Sequence, residues 1–316
     1  MNTETNNERW ERETLREVLL EHIREQRRAR RWKLGTRLAL VAAVVFLAVS
    51  LPTCRFGHTV DEIGPHTAQV RLEGPIMADS SAGSDIVIQG LNAAFRAPDA
   101  EAIVLRINSP GGSPVHSSQI HHEIKRLRKE HPETALYAVI EDIGASGAYY
   151  VAAAADEIYV DRASLVGSIG VIMGGFGLQD AMERLGIERR VYTAGDNKAF
   201  LDPFSPENPR HVDHLRAMLD EIHEQFIEAV LEGRGERLDE TRTDELFSGL
   251  VWTGEQGVTL GLVDGIGDIR TVARDVVGAE EIVDYTAERD FLSVLADRLG
   301  AAAGRAVHSA LTYPAP

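Results

Sequence analysis

At 316 residues, with 44% hydrophobic and 26% charged side chains, the chain is long enough to bury a sizeable core and is ordinary in composition for a globular protein. Its formal net charge of -16 is uneven: residues 1–37 hold ten Lys/Arg against seven Glu, leaving 23 basic and 42 acidic residues, a net -19, in the remainder. So acidic a body repels phosphate backbones and excludes nucleic acid as a partner, and the single cysteine, Cys54, excludes an internal disulfide framework.

Leu15, Val18, Leu19 and Ile23 recur at helical spacing, which predicts a charged amphipathic helix over residues 8–33, a solvated stalk or a partner-binding surface. The run LALVAAVVFLAVSL, Leu38 to Leu51, follows, within 17 uncharged residues bounded by Arg37 and Arg55. As a helix it reaches roughly 25 Å, short for a span but extended where Arg37 snorkels to the headgroups. A cleaved signal peptide ordinarily has a brief charged leader, whereas 37 residues precede this run, so an uncleaved anchor is expected. A lipid-modified Cys54 fits poorly, because Pro52 and Thr53 stand where small residues are usual. Arg24, Arg27, Arg28, Arg30, Arg31, Lys33 and Arg37, opposed only by Glu25, keep the N-terminus in the cytoplasm and place everything after residue 55 outside, in the periplasm of a Gram-negative cell. The expected organisation is a cytoplasmic helix and basic flank over 1–37, a transmembrane anchor over 38–54, an extracytoplasmic body over 55–290 and a C-terminal helix and tail over 291–316.

From residue 66 short apolar strands alternate with helices. HTAQVRLEGPI reads as a strand, SDIVIQGLNAAFRA as a helix, AIVLRIN as a buried strand, PVHSSQIHHEIKRLRKE as a helix and LYAVIE as a strand. A small-residue helix at SGAYYVAAAA, strands at DEIYVD and RRVYTA, and a long helix from Asn208 to Leu231 complete the pattern. Such alternation predicts an α/β fold around a mainly parallel sheet.

Two glycine-rich junctions leave strands for helices. In Ile107-Asn108-Ser109-Pro110-Gly111-Gly112 the paired glycines can turn tightly and leave backbone N–H groups bare for an anion. Gly144-Ala145-Ser146-Gly147 puts a serine at a helix N-terminus, where the local dipole favours developing negative charge. Each alone is also an ordinary N-cap or turn. No histidine occurs between His131 and His211, and Ala148 breaks the G-x-S-x-G elbow, so a Ser-His-Asp triad is not indicated. His211 and His214 lack a third metal ligand, and the adjacent His121 and His122 point in different directions on a helix. After residue 55 the lysines are Lys125 and Lys129, in a basic helical run, and Lys198, in Ala194-Gly195-Asp196-Asn197-Lys198-Ala199-Phe200 ahead of Pro203-Phe204. A lysine desolvated among such apolar neighbours can shed its proton and serve Ser146 as base.

Taken together INSPGG at 107–112, GASGAYYVA at 144–152, VGSIGVIM at 166–173, AGDNKAF at 194–200 and GLVDGIG at 261–267 occur in the order of, and resemble, the signal peptide peptidase A family of serine/lysine peptidases, in the ClpP/crotonase-like superfamily. The resemblance implies a ClpP/crotonase-like spiral of βα units, with Ser146 as nucleophile, Lys198 as base, Ser168 orienting the lysine, and the Gly112 and Gly147 N–H groups as the oxyanion hole. It implies peptide substrates, remnant signal peptides or other extended apolar segments, and no metal or organic cofactor. It also implies ring-shaped homo-oligomers in which neighbouring protomers can complete one another's sites, and leaves open whether Ser146 and Lys198 of one site share a chain. Two departures stand out: Ala148 replaces the family's second glycine, where a methyl narrows the site, and Ala199 replaces an Asp after the lysine, with Phe200 to Phe204 closer to the SohB-like branch. A non-catalytic membrane scaffold using residues 8–33 for partners is the rival from another class, but it gives Ser146, Lys198 and Ser168 no reason to occur together. Crotonase-type acyl-CoA chemistry belongs in the cytosol and suits an external body poorly.

Overall fold

The computed structural model describes residues 64–287, together with Trp32, Gly35 and Thr36. The chain divides into Met1–Glu62 and Ile63–Pro316, and the fold below is that of the second unit. Apart from Trp32, the expected helix over 8–33 lies outside the described residues, as do the anchor over 38–54 and the tail over 291–316; among the described residues no helix is long and apolar enough to cross a membrane.

The elements run β1 (His66–Glu73), α1 (Ser84–Phe95), β2 (Ala100–Ser109), α2 (Pro114–Glu130), β3 (Ala135–Ala145), α3 (Gly147–Ala152), β4 (Glu157–Val160), β5 (Leu165–Gly167), α4 (Gln179–Arg184) and α5 (Pro209–Arg234). After short helical turns come β6 (Val251–Thr253), α6 (Gly254–Thr259), β7 (Gly265–Ile266), α7 (Ile269–Thr271) continuing as a π-helix over Val272–Val277, and β8 (Ile282–Asp284). The strands form one sheet of order β6-β5-β3-β2-β1-β8, with β4 joined to β3 and β7; every pairing is parallel except β5 with β6. This is the expected α/β fold with a mainly parallel sheet.

The sequence chemistry explains the elements nearest the site. Ser113 caps α2 through a bond from the His116 N–H, and Pro114 occupies the first helical position, where no N–H is needed. In the middle of β2, Ala102, Ile103, Val104 and Leu105 are all buried, as both faces of a central parallel strand require. One face carries the main core, where Val70, Leu72, Leu105, Ile107 and Ile140 meet Leu91, Ile120, Ile124 and Val151 from α1, α2 and α3. The other face is covered by a smaller cluster of Val104, Val139 and Val272.

Strand β3 divides its length between two neighbours. Tyr137 to Ile140 pair with β4, then Ile143 to Ala145 pair with β5. The division brings the ends of β3 and β5 together, so Ser146 and Ser168, the residues that follow, leave the sheet side by side.

RRVYTA, read from sequence as a strand, is not one. Residues 189–194 are exposed and carry no strand pairing, because among the described residues no neighbouring strand lies beside them. Apolar, β-branched residues alone do not form a strand without a partner for their backbone groups.

Candidate active site

Ser146 occupies the turn from β3 into α3 with φ 53° and ψ -127°, a conformation that costs a non-glycine residue on the order of 1–3 kcal/mol. Its surroundings hold it there: its N–H donates to the Gly167 carbonyl at 2.8 Å, and its own carbonyl accepts the Tyr150 N–H at 2.9 Å. The side chain makes no capping bond, and the residue lines a cavity of about 120 Å³. Ser168, also at positive φ (52°), follows the Gly167 carbonyl that Ser146 uses, and its own N–H donates to Leu250 O at 2.7 Å.

The Pro-Gly-Gly turn lies directly on this serine. A Cβ at Gly111 (φ 91°) would fall 2.6 Å from Gly147 N and 3.0 Å from Ser146 Cβ, and one at Gly112 (φ 153°) would fall 2.3 Å from Ile76 O. Only glycine meets both the conformation and the space. Ile76 clamps the turn, its N–H donating to Gly111 O at 2.9 Å and its carbonyl accepting from Ser113 N at 2.8 Å. A Cβ at Gly147 would lie 3.3 Å from Gly112 N, so the two amides approach one another beside Ser146. Among the described residues neither the Gly112 nor the Gly147 N–H has a hydrogen-bond partner.

The cavity walls were not singled out from sequence. Pro114 and Ser117 from α2, Tyr150 from α3, and Ile222, Gln225 and Phe226 from α5 form them. Helical spacing was the available signal: Ser117 lies four residues after the cap Ser113, Tyr150 four after Ser146, and Phe226 four after Ile222. Tyr150 and Phe226 pack with tilted rings at 5.0 Å, and the buried His121 sets its ring edgewise against Tyr150, also at 5.0 Å. Burial, reinforced by His122 and Lys125, lowers the His121 pKa to about 4. Tyr149, fully buried behind the turn, donates to Leu262 O at 2.7 Å, and burial raises its pKa.

Lys198 is not brought to this cavity within the chain. It is exposed, its N–H closes a turn onto Gly195 O at 3.1 Å, and the neighbouring Asn197 side chain bonds His211 Nε2 at 3.1 Å. His211 precedes Ile222 and Phe226 by eleven to fifteen residues of α5, roughly 16–22 Å along the helix at 1.5 Å per residue. The expected apolar surroundings are used elsewhere: Phe200 packs on His211 and His214, and Phe204 lies under Arg189. The desolvated lysine read from sequence is not seen here: Lys198 is exposed and does not line the cavity that holds Ser146.

Ala148 also differs from expectation. Its methyl is fully buried in the core rather than lining the cavity, so it does not narrow the site. A larger cavity of about 810 Å³ includes Arg106, Glu141, Asp142 and Asp268 but none of the sequence-predicted site residues.

The profile of Peptidase family S49 matches residues 128–282. A Na(+)/H(+) antiporter NhaA of Brucella abortus is 43% identical to this chain over 214 residues, which make up 66% of this chain and 29% of that protein. A Methanocaldococcus jannaschii protein named as a protease is 30% identical over 269 residues, 80% of this chain and 84% of its own length. Protease 4 of Haemophilus influenzae is 31% identical over 231 residues, 71% of this chain and 36% of that one. The chain thus spans about 29% of the length of the Brucella relatives, and their transport name belongs to those proteins.

Proposed function

The chain belongs to peptidase family S49, and from that premise we propose that it is a membrane-anchored serine peptidase in which Ser146 is the nucleophile and Lys198 the general base. The observation that carries the reading is the group around Ser146: a serine in a strained backbone at a cavity wall, with the unpartnered N–H groups of Gly112 and Gly147 beside it. Strain of this kind persists only where the surroundings enforce it.

In the proposed mechanism a neutral Lys198 amine takes the Ser146 hydroxyl proton as Oγ attacks a peptide carbonyl carbon. The carbonyl oxygen becomes an oxyanion held by the Gly112 and Gly147 N–H groups. Collapse breaks the C–N bond, the lysine ammonium gives its proton to the leaving amine, and an ester remains on Ser146. Water then attacks the ester as lysine takes its proton, the acid leaves, and Ser146 regains its hydrogen. Ser168, beside Ser146, orients the amine.

The exposure of Lys198, outside the residues that line the Ser146 cavity, supports a site completed by a second copy. The segment that carries Lys198 exposes Ile172, Phe176, Leu185 and Tyr192, which are 92%, 83%, 73% and 90% accessible, an apolar surface of the kind that marks association. We take the fold as a ClpP/crotonase-like spiral and the assembly as a ring, with residues 38–54 as the anchor and the catalytic body in the periplasm. Substrates are then extended apolar peptides, including remnant signal peptides, near the outer face of the inner (plasma) membrane.

Mixing Ser146→Ala chains with Lys198→Ala chains tests the reading. Each alone should be inactive toward a fluorogenic peptide amide, and co-assembly should restore part of the activity. Two inactive partners that remain inactive after verified co-assembly would argue against a shared site. A reporter fused after Pro316 should read as extracytoplasmic; a cytoplasmic reading would remove the proposed location and substrate class.

A further inference from the structure

An oxyanion hole works only if both donors reach one oxygen, at about 2.7–3.1 Å. Here the two amides belong to different elements: Gly112 to the turn before α2, Gly147 to the start of α3. Strands β2 and β3 last pair at Ser109 and Gly144. Beyond that point no backbone hydrogen bond among the described residues joins the two loops. Their spacing is therefore set by packing.

Ser117 sits between them. It is fully buried, lines the cavity with Ser146 and Gly112, and donates its hydroxyl to the Ser113 carbonyl at 3.0 Å. That bond alone is a common helical back-bond. The other side of the hydroxyl is not: a Cβ at Gly147 would fall 2.4 Å from Ser117 Oγ. The oxygen is therefore tied to the loop that carries Gly112 and packed against the backbone that carries Gly147.

We propose that Ser117 is a positioning residue, whose hydroxyl is the spacer that sets the separation of the Gly112 and Gly147 amides. This rests on the reading of those amides as the oxyanion hole. It also gives Gly147 a second reason to be glycine, since the spacer occupies the place of its side chain.

The test uses the full chain, a fluorophosphonate to measure the labelling rate of Ser146, a fluorogenic peptide amide to measure kcat and KM, and thermal melts. Ser117→Ala should lower kcat by about ten- to a hundredfold, leave KM within about twofold and slow labelling in step, because small misplacements of reacting groups cost that much. Gly147→Ala should lose more than about a hundredfold, as its Cβ meets the Ser117 oxygen. The double variant should recover about tenfold over Gly147→Ala, since without that oxygen the nearest atoms are Gly112 N at 3.3 Å and Ser117 Cβ at 3.4 Å. A lowered Tm with unchanged kcat in Ser117→Ala, failure of that variant to fold, or a double variant no better than Gly147→Ala overturns the proposal. Absence of labelling in the unsubstituted chain instead removes the nucleophile reading, and this inference with it.

Discussion

The depressed pKa of His121 should cost the folded chain about 2 kcal/mol of stability between pH 7 and pH 5, where the unfolded ring takes up a proton and the buried one does not. The ring is 3% exposed, its Nδ1 has no hydrogen-bond partner among the described residues, and its pKa is lowered from 6.5 to about 4, first by burial and then by His122 and Lys125, with Glu232 opposing. A depressed pKa favours the neutral ring in the folded state. The stabilisation is therefore fully present above pH 6.5, declines as pH falls and is exhausted below about pH 4, where the folded state also protonates. With those two values the linkage relation gives about 2 kcal/mol by pH 5. His121→Phe keeps an aromatic edge against Tyr150 and cannot titrate. Urea unfolding at pH 7 and pH 5 should show the unsubstituted chain losing about 2 kcal/mol more than His121→Phe. Carboxylates contribute to both chains alike, so the difference isolates the imidazole. Equal losses would mean that His121 is not the buried neutral group described.

Three further outcomes are expected. Gly111→Ala should destabilise the chain by about 2–4 kcal/mol in urea titrations, because a left-handed residue gains a methyl within 3 Å of Gly147 N and Ala145 O; a near-neutral result would contradict the geometry of the turn. Lys198→Ala and Lys198→Arg should both abolish turnover of a fluorogenic peptide while leaving melting unchanged, since guanidinium stays protonated and cannot act as base; normal turnover by the arginine variant would rule out the lysine. Ser168→Ala should lower kcat less than Ser146→Ala does in the same assay, because it affects the orientation of the base and spares the nucleophile.

Much of the fold was legible because local chemistry and tertiary demand agree. Pro114 after Ser113 marks the start of α2, the unbroken Ile103-Val104-Leu105 run marks a central strand, and Asn208-Pro209 opens α5. The division of β3 between β4 and β5 was not legible, because nothing in LYAVIEDIGA records where one partner ends and another begins. RRVYTA misled for the complementary reason: its residues favour a strand, but a strand needs a neighbour. At the site, the glycines and Ser146 were readable because backbone constraint leaves a residue-type signature. The cavity walls were not, since Phe226 meets Tyr150 across 76 residues of sequence and only packing brings them together. Lys198 was singled out by scarcity and flanking residues, and neither records whether its apolar surroundings come from its own chain.

The most direct test of the account is fluorophosphonate labelling of the full chain followed by mapping of the modified peptide. The label should fall on Ser146, and Ser146→Ala should lose both labelling and peptide cleavage while keeping its melting temperature within a few degrees. A label on Ser168, Ser109 or Ser117, or a Ser146→Ala chain that still cleaves at the normal rate, would contradict the central claim.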